Sequence, residues 1–359
     1  MKILPSITAG QAIIILILVG FSVSANYLIE NVHVPGVSKD TFQVLLVVGS
    51  AIFMVTFLQL LPVSVSYFFR QRHIKLAGIL ADLNATIAAT LHPLSGQAAH
   101  AFASQAEIAR ELLQFSKARQ LGEKALATAN DWSQFVNTPL PKDISALNEK
   151  LITASRAQQK KNFADIVSIC HESLAETLIE MGEYDGAYNH ARNAIAIAEE
   201  AILNAEPSDV ATITRSALIL ASSLTSKGRA EIILGSLEDA RIDLERAVNL
   251  REKLNSQFPE FVARACAYLA STYSIQGENQ KAAEAIKSGL SLIKGLTGPQ
   301  LELTRAKLLQ HEGECLMREG NTEAANDLLN KCLQVRKQLL VKDHPEILAV
   351  QLAISNLTQ

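Results

Sequence analysis

Cysteine and aromatic residues are scarce in this chain of 359 residues. It has four cysteines and one tryptophan, and aromatic residues make up 5% of the composition. The cysteines stand singly, without Cys-x-x-Cys spacing, so the sequence supports neither a zinc site nor a disulfide framework. The eight histidines are also scattered. We therefore expect reduced thiols in helix cores and no metal site.

The signatures of common enzymes are missing as well. The chain has neither a glycine-rich phosphate loop nor a Gly-x-Ser-x-Gly nucleophile elbow. Cys170 and His171 are neighbours in sequence, but adjacent positions of a helix point in different directions, so they do not predict a nucleophile and its base. We expect no catalytic residues, no cofactor, no small-molecule substrate and no enzyme activity.

Charge is absent from two long apolar runs near the amino terminus. Residues 11–29 and 42–69 contain no charged side chain, and about 20 apolar residues suffice for a transmembrane helix. Arg70, Arg72 and Lys75 follow the second run, and positive residues stay on the cytoplasmic side. These runs predict an integral protein of the bacterial inner membrane with a cytoplasmic carboxyl-terminal domain. Since neither run holds an ionisable group, we expect an anchor rather than a pore.

The first apolar run has an alternative interpretation. Residues 23–25 read Val-Ser-Ala, which resembles the small-residue cleavage site of a secretory signal. Retention and cleavage of this run both remain open at this point.

Net charge gives no reason to expect nucleic acid as a partner. Residues 1–75 hold five Lys/Arg and two acids, a net charge of +3, and the other 28 Lys/Arg and 34 Asp/Glu leave the rest at −6. A nucleic-acid surface needs a concentration of positive charge.

One pattern recurs through the carboxyl-terminal half of the chain. A helix-like apolar run ends at Gly235, at Gly277 and at Gly320, in steps of 42 and 43 residues, and Gly182 ends a further copy 53 residues upstream. A period of about 20 to 50 residues is typical of stacked supersecondary units. Each unit would bury its apolar face against its neighbours.

Proline and glycine predict what each unit is. Pro259, Pro299 and Pro345 each precede a new helical run, and proline is best tolerated in the first turn of a helix. The recurring glycines follow the ends of these runs, where a left-handed residue closes a helix. Each unit is therefore predicted to be a helix, a tight turn and an antiparallel helix, and the fold an all-α solenoid preceded by two transmembrane helices.

The recurring residues resemble the motif of the tetratricopeptide repeat. The matching positions are Leu174, Ala175, Leu178, Gly182, Tyr184, Ala187 and Ala194 in one copy, Gly228, Gly235, Ala240 and Ala247 in the second, Leu269, Ala270, Tyr273, Gly277 and Ala282 in the third, and Gly313, Leu316, Gly320, Ala325 and Cys332 in the fourth. In the second copy, Lys227 and Glu231 replace apolar residues. The resemblance implies a right-handed solenoid. The family period is about 34 residues, so the longer spacing implies helices about one turn longer.

The longer form is similar to the kinesin-light-chain-like subclass. The likeness is carried by residues 244–254 and by residues 329–339 followed by Asp343, His344 and Pro345. The inner-face asparagines of kinesin light chains are mostly absent, so their cargo specificity is not implied. We predict three parts: a transmembrane hairpin over 1–75, a helical connector with a degenerate repeat over 76–162, and four repeats with a terminal capping helix over 163–359.

The concave face, formed by the first helices, is the surface on which such repeats usually bind a protein or peptide. Its acidic and basic ends would orient an extended or helical peptide. The candidate groove consists of Glu172, Glu176, Glu180, Arg229, Arg264, Lys307, Gln310, Glu314 and Arg318. A membrane-anchored scaffold that binds a cytoplasmic partner follows from this interpretation. The alternative is an accessory subunit of a membrane complex, recognised through its transmembrane hairpin.

Overall fold

Helices account for all the regular secondary structure in the part of the chain that the structure describes. This computed structural model describes residues 61, 62, 64, 65, 74–91, 96–137, 146–254, 259–340, 342 and 344–357. From residue 74 onward the helices are α1 (Ile74–Leu91), α2 (Gly96–Glu111), α3 (Phe115–Asn137), α4 (Ala146–Glu180), α5 (Tyr184–Asn204), α6 (Val210–Leu234), α7 (Leu237–Lys253), α8 (Pro259–Ile275), α9 (Asn279–Leu292), α10 (Pro299–Arg318), α11 (Thr322–Leu339) and α12 (Pro345–Leu357).

Successive helices pack in pairs, and the pairs stack. From α2 to α11 each first helix packs on the second helix that follows it, and each second helix packs on the first helix of the next pair. The first helices α2, α4, α6, α8, α10 and α12 also contact one another in series. This is the stacking of a solenoid. The predicted all-helical repeat architecture is confirmed for the described residues, and Pro259, Pro299 and Pro345 each begin a helix as predicted.

The recurring glycines occupy equivalent corners. Gly182, Gly235, Gly277 and Gly320 have φ angles between +80° and +87°. At Gly235 the glycine N–H donates to the carbonyl of Ile232 (3.4 Å) and the next N–H donates to the carbonyl of Glu231 (2.9 Å). The other three corners repeat this pattern of hydrogen bonds, which is the Schellman closure of a helix.

A fifth corner lacks its glycine. Leu113, between α2 and α3, has φ of +60°. Its N–H donates to the Arg110 carbonyl (2.8 Å), and the N–H of Gln114 donates to the Ala109 carbonyl (2.8 Å). The pair α2–α3 is therefore a further repeat unit, and it lies in the region where the sequence predicts a degenerate one.

Alanine fixes how closely the two helices of each pair approach. The residue five positions after each corner is alanine, and its side chain is fully buried in every pair. These residues are Ala118, Ala187, Ala240, Ala282 and Ala325. A larger side chain at these positions would push the helices apart, because protein interiors are already close-packed.

A substitution at a corner tests the turn without disturbing the packing. A Cβ added at Gly235 would have no heavy atom within 4 Å, so Gly235→Ala should change only the cost of the left-handed backbone. We expect the free energy of unfolding to fall by about 1–2 kcal/mol, measured by urea denaturation at an unchanged slope. The neighbouring Ser236 makes no side-chain capping hydrogen bond, so Ser236→Ala is the matched control and should have little effect. Equal stability of Gly235→Ala and the parent would contradict the prediction.

The predicted localisation is corrected by the helices of the described residues. None of them combines the length and the apolarity that crossing a bilayer requires. The longest, α4, carries Glu172, Glu176 and Glu180 at every fourth position, and charge of this kind makes insertion costly. The prediction of an integral membrane protein is wrong on this finding, and the two transmembrane helices of the predicted fold are not supported. The predicted runs, 11–29 and 42–69, lie outside the described residues except for positions 61, 62, 64 and 65.

Helix α4 crosses the predicted boundary between the connector and the repeats. Helix α4 runs without a break through residue 162, where the sequence predicts the end of the connector.

The cysteines are all buried and free, as predicted; they are Cys170, Cys266, Cys315 and Cys332. Burial raises the pKa of the Cys170 thiol to about 12, so this thiol is a poor nucleophile at neutral pH.

Candidate partner-binding surface on the inner face

The first helices carry the residues of the predicted groove on one inner face. Glu172, Glu176 and Glu180 lie on α4, Arg229 on α6, Arg264 on α8, and Lys307, Gln310, Glu314 and Arg318 on α10. Because these helices contact one another in series, side chains that are far apart in sequence meet. We call the charged cluster of Arg110, Glu176, Glu180, Arg229, Arg264, Lys307, Arg336 and Glu346 the inner network.

Glu176 lies at the centre of the inner network. Its carboxylate accepts a hydrogen bond from Nη1 of Arg264 (3.0 Å) and also forms an ion pair with Arg110. Glu176 and Arg110 are each 3% exposed. Burial works to raise the pKa of the Glu176 carboxyl, but the charges of Arg110, Arg264, Arg229 and Arg251 lower it overall. Glu176 is therefore a buried anion held by arginines from two other helices.

A second group of pairs surrounds Tyr268. Arg229 donates to Glu180 (2.7 Å), and its guanidinium lies 4.4 Å from the centre of the Tyr268 ring. The ammonium of Lys307 lies 5.8 Å from the same ring and 3.3 Å from Glu346. A phenol ring next to two cations is a favourable arrangement because its face is electron-rich.

Two contacts draw distant parts of the solenoid together. Nε2 of Gln300, on α10, donates to the carbonyl of Arg110, on α2 (3.3 Å). Nε2 of His344, just before α12, lies 3.4 Å from the carbonyl of Glu180, on α4. The cavity left between these contacts has a volume of about 20 Å³ and is lined by Glu180, Arg229, Arg264, Ala267, Tyr268, Gln300, Leu303, Thr304, Lys307 and Glu346. That volume holds about one water molecule.

Two predicted residues with carboxyl groups differ in their surroundings. Glu172 makes no hydrogen bond or ion pair with any residue that the structure describes. Its pKa is raised to about 8, first by burial and then by the neighbouring Glu176. Glu314, in contrast, binds Nδ1 of His311 (3.0 Å) and Nε2 of Gln310 (2.6 Å). Burial works to raise its pKa, but these hydrogen bonds and the charge on His311 lower it to about 2.

Arg318 lies apart from the inner network. It donates to the carbonyl of Ser274 (2.8 Å) and to the Ser274 hydroxyl, so it joins the end of α10 to the end of α8.

The charges of the inner face are not separated into the acidic and basic ends that the sequence predicted. The acids of α4 are paired with arginines of α2, α6 and α8, so the two signs alternate within one cluster.

Three of the eight residues of the inner network were not predicted from the sequence. Arg110 lies on α2, Arg336 on α11 and Glu346 on α12. Arg336 is fully buried, donates to Oε1 of Gln310 (2.7 Å) and lies 3.2 Å from Oε2 of Glu346. One feature of the sequence could have indicated Arg336. Arg251 and Arg336 stand 16 residues after their corner glycines, and both are buried on second helices.

Comparisons with known proteins agree with the repeat architecture. Residues 316–346 match the sequence model of the tetratricopeptide repeat family. This span contains the corner at Gly320. No curated protein matches the chain.

Similar solved structures are distant in sequence. A Rap protein complexed with Competence and Sporulation Factor is 16% identical, with 82% of this chain and 72% of that chain covered and a TM-score of 0.48. BtubC (BKLC) from P. vanneervenii is 16% identical, with 74% and 91% covered and a TM-score of 0.46. The apo form of RapI is 12% identical, with 83% and 95% covered and a TM-score of 0.45.

The similarity to these structures is too low to transfer a function. The narrower kinesin-light-chain-like assignment is not supported by the comparisons. The matched repeat and the recurring corners together support a tetratricopeptide-type helical-repeat protein.

Proposed function

We propose that this protein is a scaffold that binds a protein or peptide partner on its inner face. The observation that carries the proposal is the inner network, in which buried charged side chains from α2, α4, α6, α8 and α11 meet partly exposed ones from α10 and α12. Strongly perturbed ionisable groups gathered in a cleft are a physical reason to suspect a functional site.

Stability of the stack does not account for this concentration of charge. The helix pairs are held by fully buried alanines and leucines such as Ala240, Leu244 and Ala282. Buried ion pairs add little to stability, because the cost of removing charges from water offsets most of their attraction. Paired charges of this kind can be exchanged for pairs with the charged groups of a partner.

Binding requires the inner face to open. The cavity of about 20 Å³ beside Tyr268 is too small for a peptide. Besides the ion pairs of the inner network, two hydrogen bonds, from Gln300 and from His344, cross the inner face, and each such bond contributes about 1 kcal/mol. Once these contacts between distant repeats are broken, a small rotation per repeat widens the superhelix. A partner with both acidic and basic side chains would then replace the internal pairs.

Site-specific crosslinking in cells that produce the full chain tests the proposal. Glu172 is replaced by benzoylphenylalanine, because this side chain lies on the inner face outside the ion pairs. The matched control is the same replacement of Arg192, an exposed residue on the second helix α5. We expect a discrete crosslinked product from position 172 and none from position 192, with circular dichroism showing that both variants fold. Products from position 192 alone, or equal products from both positions, would reject the inner face as the binding surface.

A further inference from the structure

Helices α4, α5 and α6 are longer than the two helices that follow them. Helix α4 has 35 residues, α5 has 21 and α6 has 25, whereas α7 and α8 each have 17. The lengths of α5 and α6 account for the step of 53 residues between Gly182 and Gly235. The extra length lies toward the α5–α6 loop, at the opposite ends of these helices from the corner glycines.

A cavity lies among these longer helices. Its volume is about 510 Å³, within the range of small-molecule sites. Its residues are Phe163, Ala164, Asp165, Val167, Ile197, Glu200, Ala201, Asn204, Ala205, Glu206, Asp209 and Thr212. Part of this wall is apolar, formed by α4 and α5, and the charged residues in it are all acidic.

Two of the four acidic residues have structural partners. Asp165 is buried and accepts hydrogen bonds from Nη1 of Arg215 (2.8 Å) and Oγ of Ser216 (2.9 Å). Asp209 caps α6 by accepting from the N–H (3.2 Å) and Oγ1 (3.0 Å) of Thr212. These bonds join α4 to α6 and fix the loop before α6, so the walls of the cavity are held in place.

The other two acidic residues are available to a ligand. Glu200 and Glu206 are exposed, and neither carboxylate makes a hydrogen bond or ion pair within the described part of the chain. Their carboxylates place two negative charges beside an apolar wall. A ligand that satisfies both features has an apolar body and a positive charge at one end.

We propose that this cavity binds a small organic amine, with its apolar body against Phe163, Val167 and Ile197 and its ammonium group near Glu200 and Glu206. The site is separate from the inner network and does not depend on the proposed scaffold function. Burial of the ligand's apolar body supplies affinity but does not fix its orientation. The two carboxylates favour a ligand with positive charge over one with negative charge.

Calorimetry on the full chain with three matched probes tests the charge preference. The probes are phenethylammonium, phenethyl alcohol and phenylacetate, which share a phenyl ring but differ in charge. We expect phenethylammonium to bind at least tenfold more tightly than phenylacetate, with the alcohol between them. The double variant Glu200→Gln, Glu206→Gln should bring the amine to the affinity of the alcohol and leave the alcohol unchanged. Glu323→Gln, an exposed change on α11, is the control and should alter nothing.

A second pair of variants tests the location. Ala201→Phe places a ring in the cavity and should weaken amine binding at least tenfold, whereas Ala211→Phe, at an exposed position of α6 outside the lining, should not. Ala201→Leu adds less volume to the cavity and should also weaken amine binding. Thermal unfolding of each variant shows whether a loss of binding comes from a filled cavity or from a misfolded protein. Equal binding of the three probes, no binding of the amine at millimolar concentration, or full binding by a folded Ala201→Phe or Ala201→Leu variant would overturn the proposal.

Discussion

Glu176→Leu is expected to lower the free energy of unfolding by about 3–5 kcal/mol, the usual cost of removing one partner from a buried ion pair. The variant leaves the guanidinium of Arg110 without its carboxylate in a site that is 3% exposed. Arg264 loses its 3.0 Å bond to Glu176, while its longer contact with Glu111, at 3.8 Å, remains. Leucine has a similar volume, so the loss reports unpaired charge rather than an empty cavity. Urea denaturation followed by circular dichroism measures it.

The matched control is Glu123→Leu. Glu123 also accepts from an arginine, Arg119, at 2.8 Å, but both side chains are largely exposed. Water already solvates such a pair, so we expect a change close to the error of the measurement. The double variant Glu176→Leu, Arg110→Met should be more stable than Glu176→Leu alone, because it removes one of the stranded charges. Equal losses at positions 123 and 176 would show that the inner network is not a buried electrostatic cluster.

Arg336→Met is expected to release α12 from the end of the solenoid. Arg336 is fully buried, and its Nη1 donates to Gln310 on α10 (2.7 Å) and to the Glu346 carbonyl on α12 (3.0 Å). Methionine fills much of the space but makes none of these bonds, and Glu346 loses its ion pair with Arg336 while it keeps the one with Lys307 at 3.3 Å. Breaking a buried pair of this kind costs about 3 kcal/mol or more.

Hydrogen exchange of the backbone amides measures this release. Local opening that becomes easier by about 3 kcal/mol lowers protection by about 100-fold, and we expect that loss in Pro345–Leu357 ahead of the rest of the array. Arg251→Met is the control, because Arg251 occupies the equivalent position of α7 and donates to Ser222 on α6 rather than to α12. Unchanged protection of α12 in Arg336→Met, or the same loss in Arg251→Met, would refute the assignment.

Local features of the fold were predictable because they depend on backbone chemistry. Glycine adopts a left-handed backbone conformation at lower energetic cost than other residues. The corners at Gly235, Gly277 and Gly320 could therefore be placed from the sequence. Leu113 adopts the same conformation, but it gives no such signal because leucine rarely does so. The corner is imposed by the packing of α2 on α3, which a search for glycine cannot detect.

The candidate site was only partly predictable. The sequence placed Glu176, Glu180, Arg229, Arg264 and Lys307 on first helices, and the structure shows them there. It gave no indication that α10 approaches α2 or that His344 approaches α4, since these contacts join residues 190 and 164 positions apart. They depend on small rotations between repeats that accumulate along the array.

The sequence by itself determined the helical units, their corners and their alanine contacts, because each is set by the conformational preference or volume of residues close together in the chain. The tertiary structure alone decided that acids and arginines from different repeats are paired in one buried cluster, and that α4, α5 and α6 line an open cavity. Both depend on how successive helix pairs are oriented, and that orientation is the sum of many contacts too distant in sequence for any local pattern to encode.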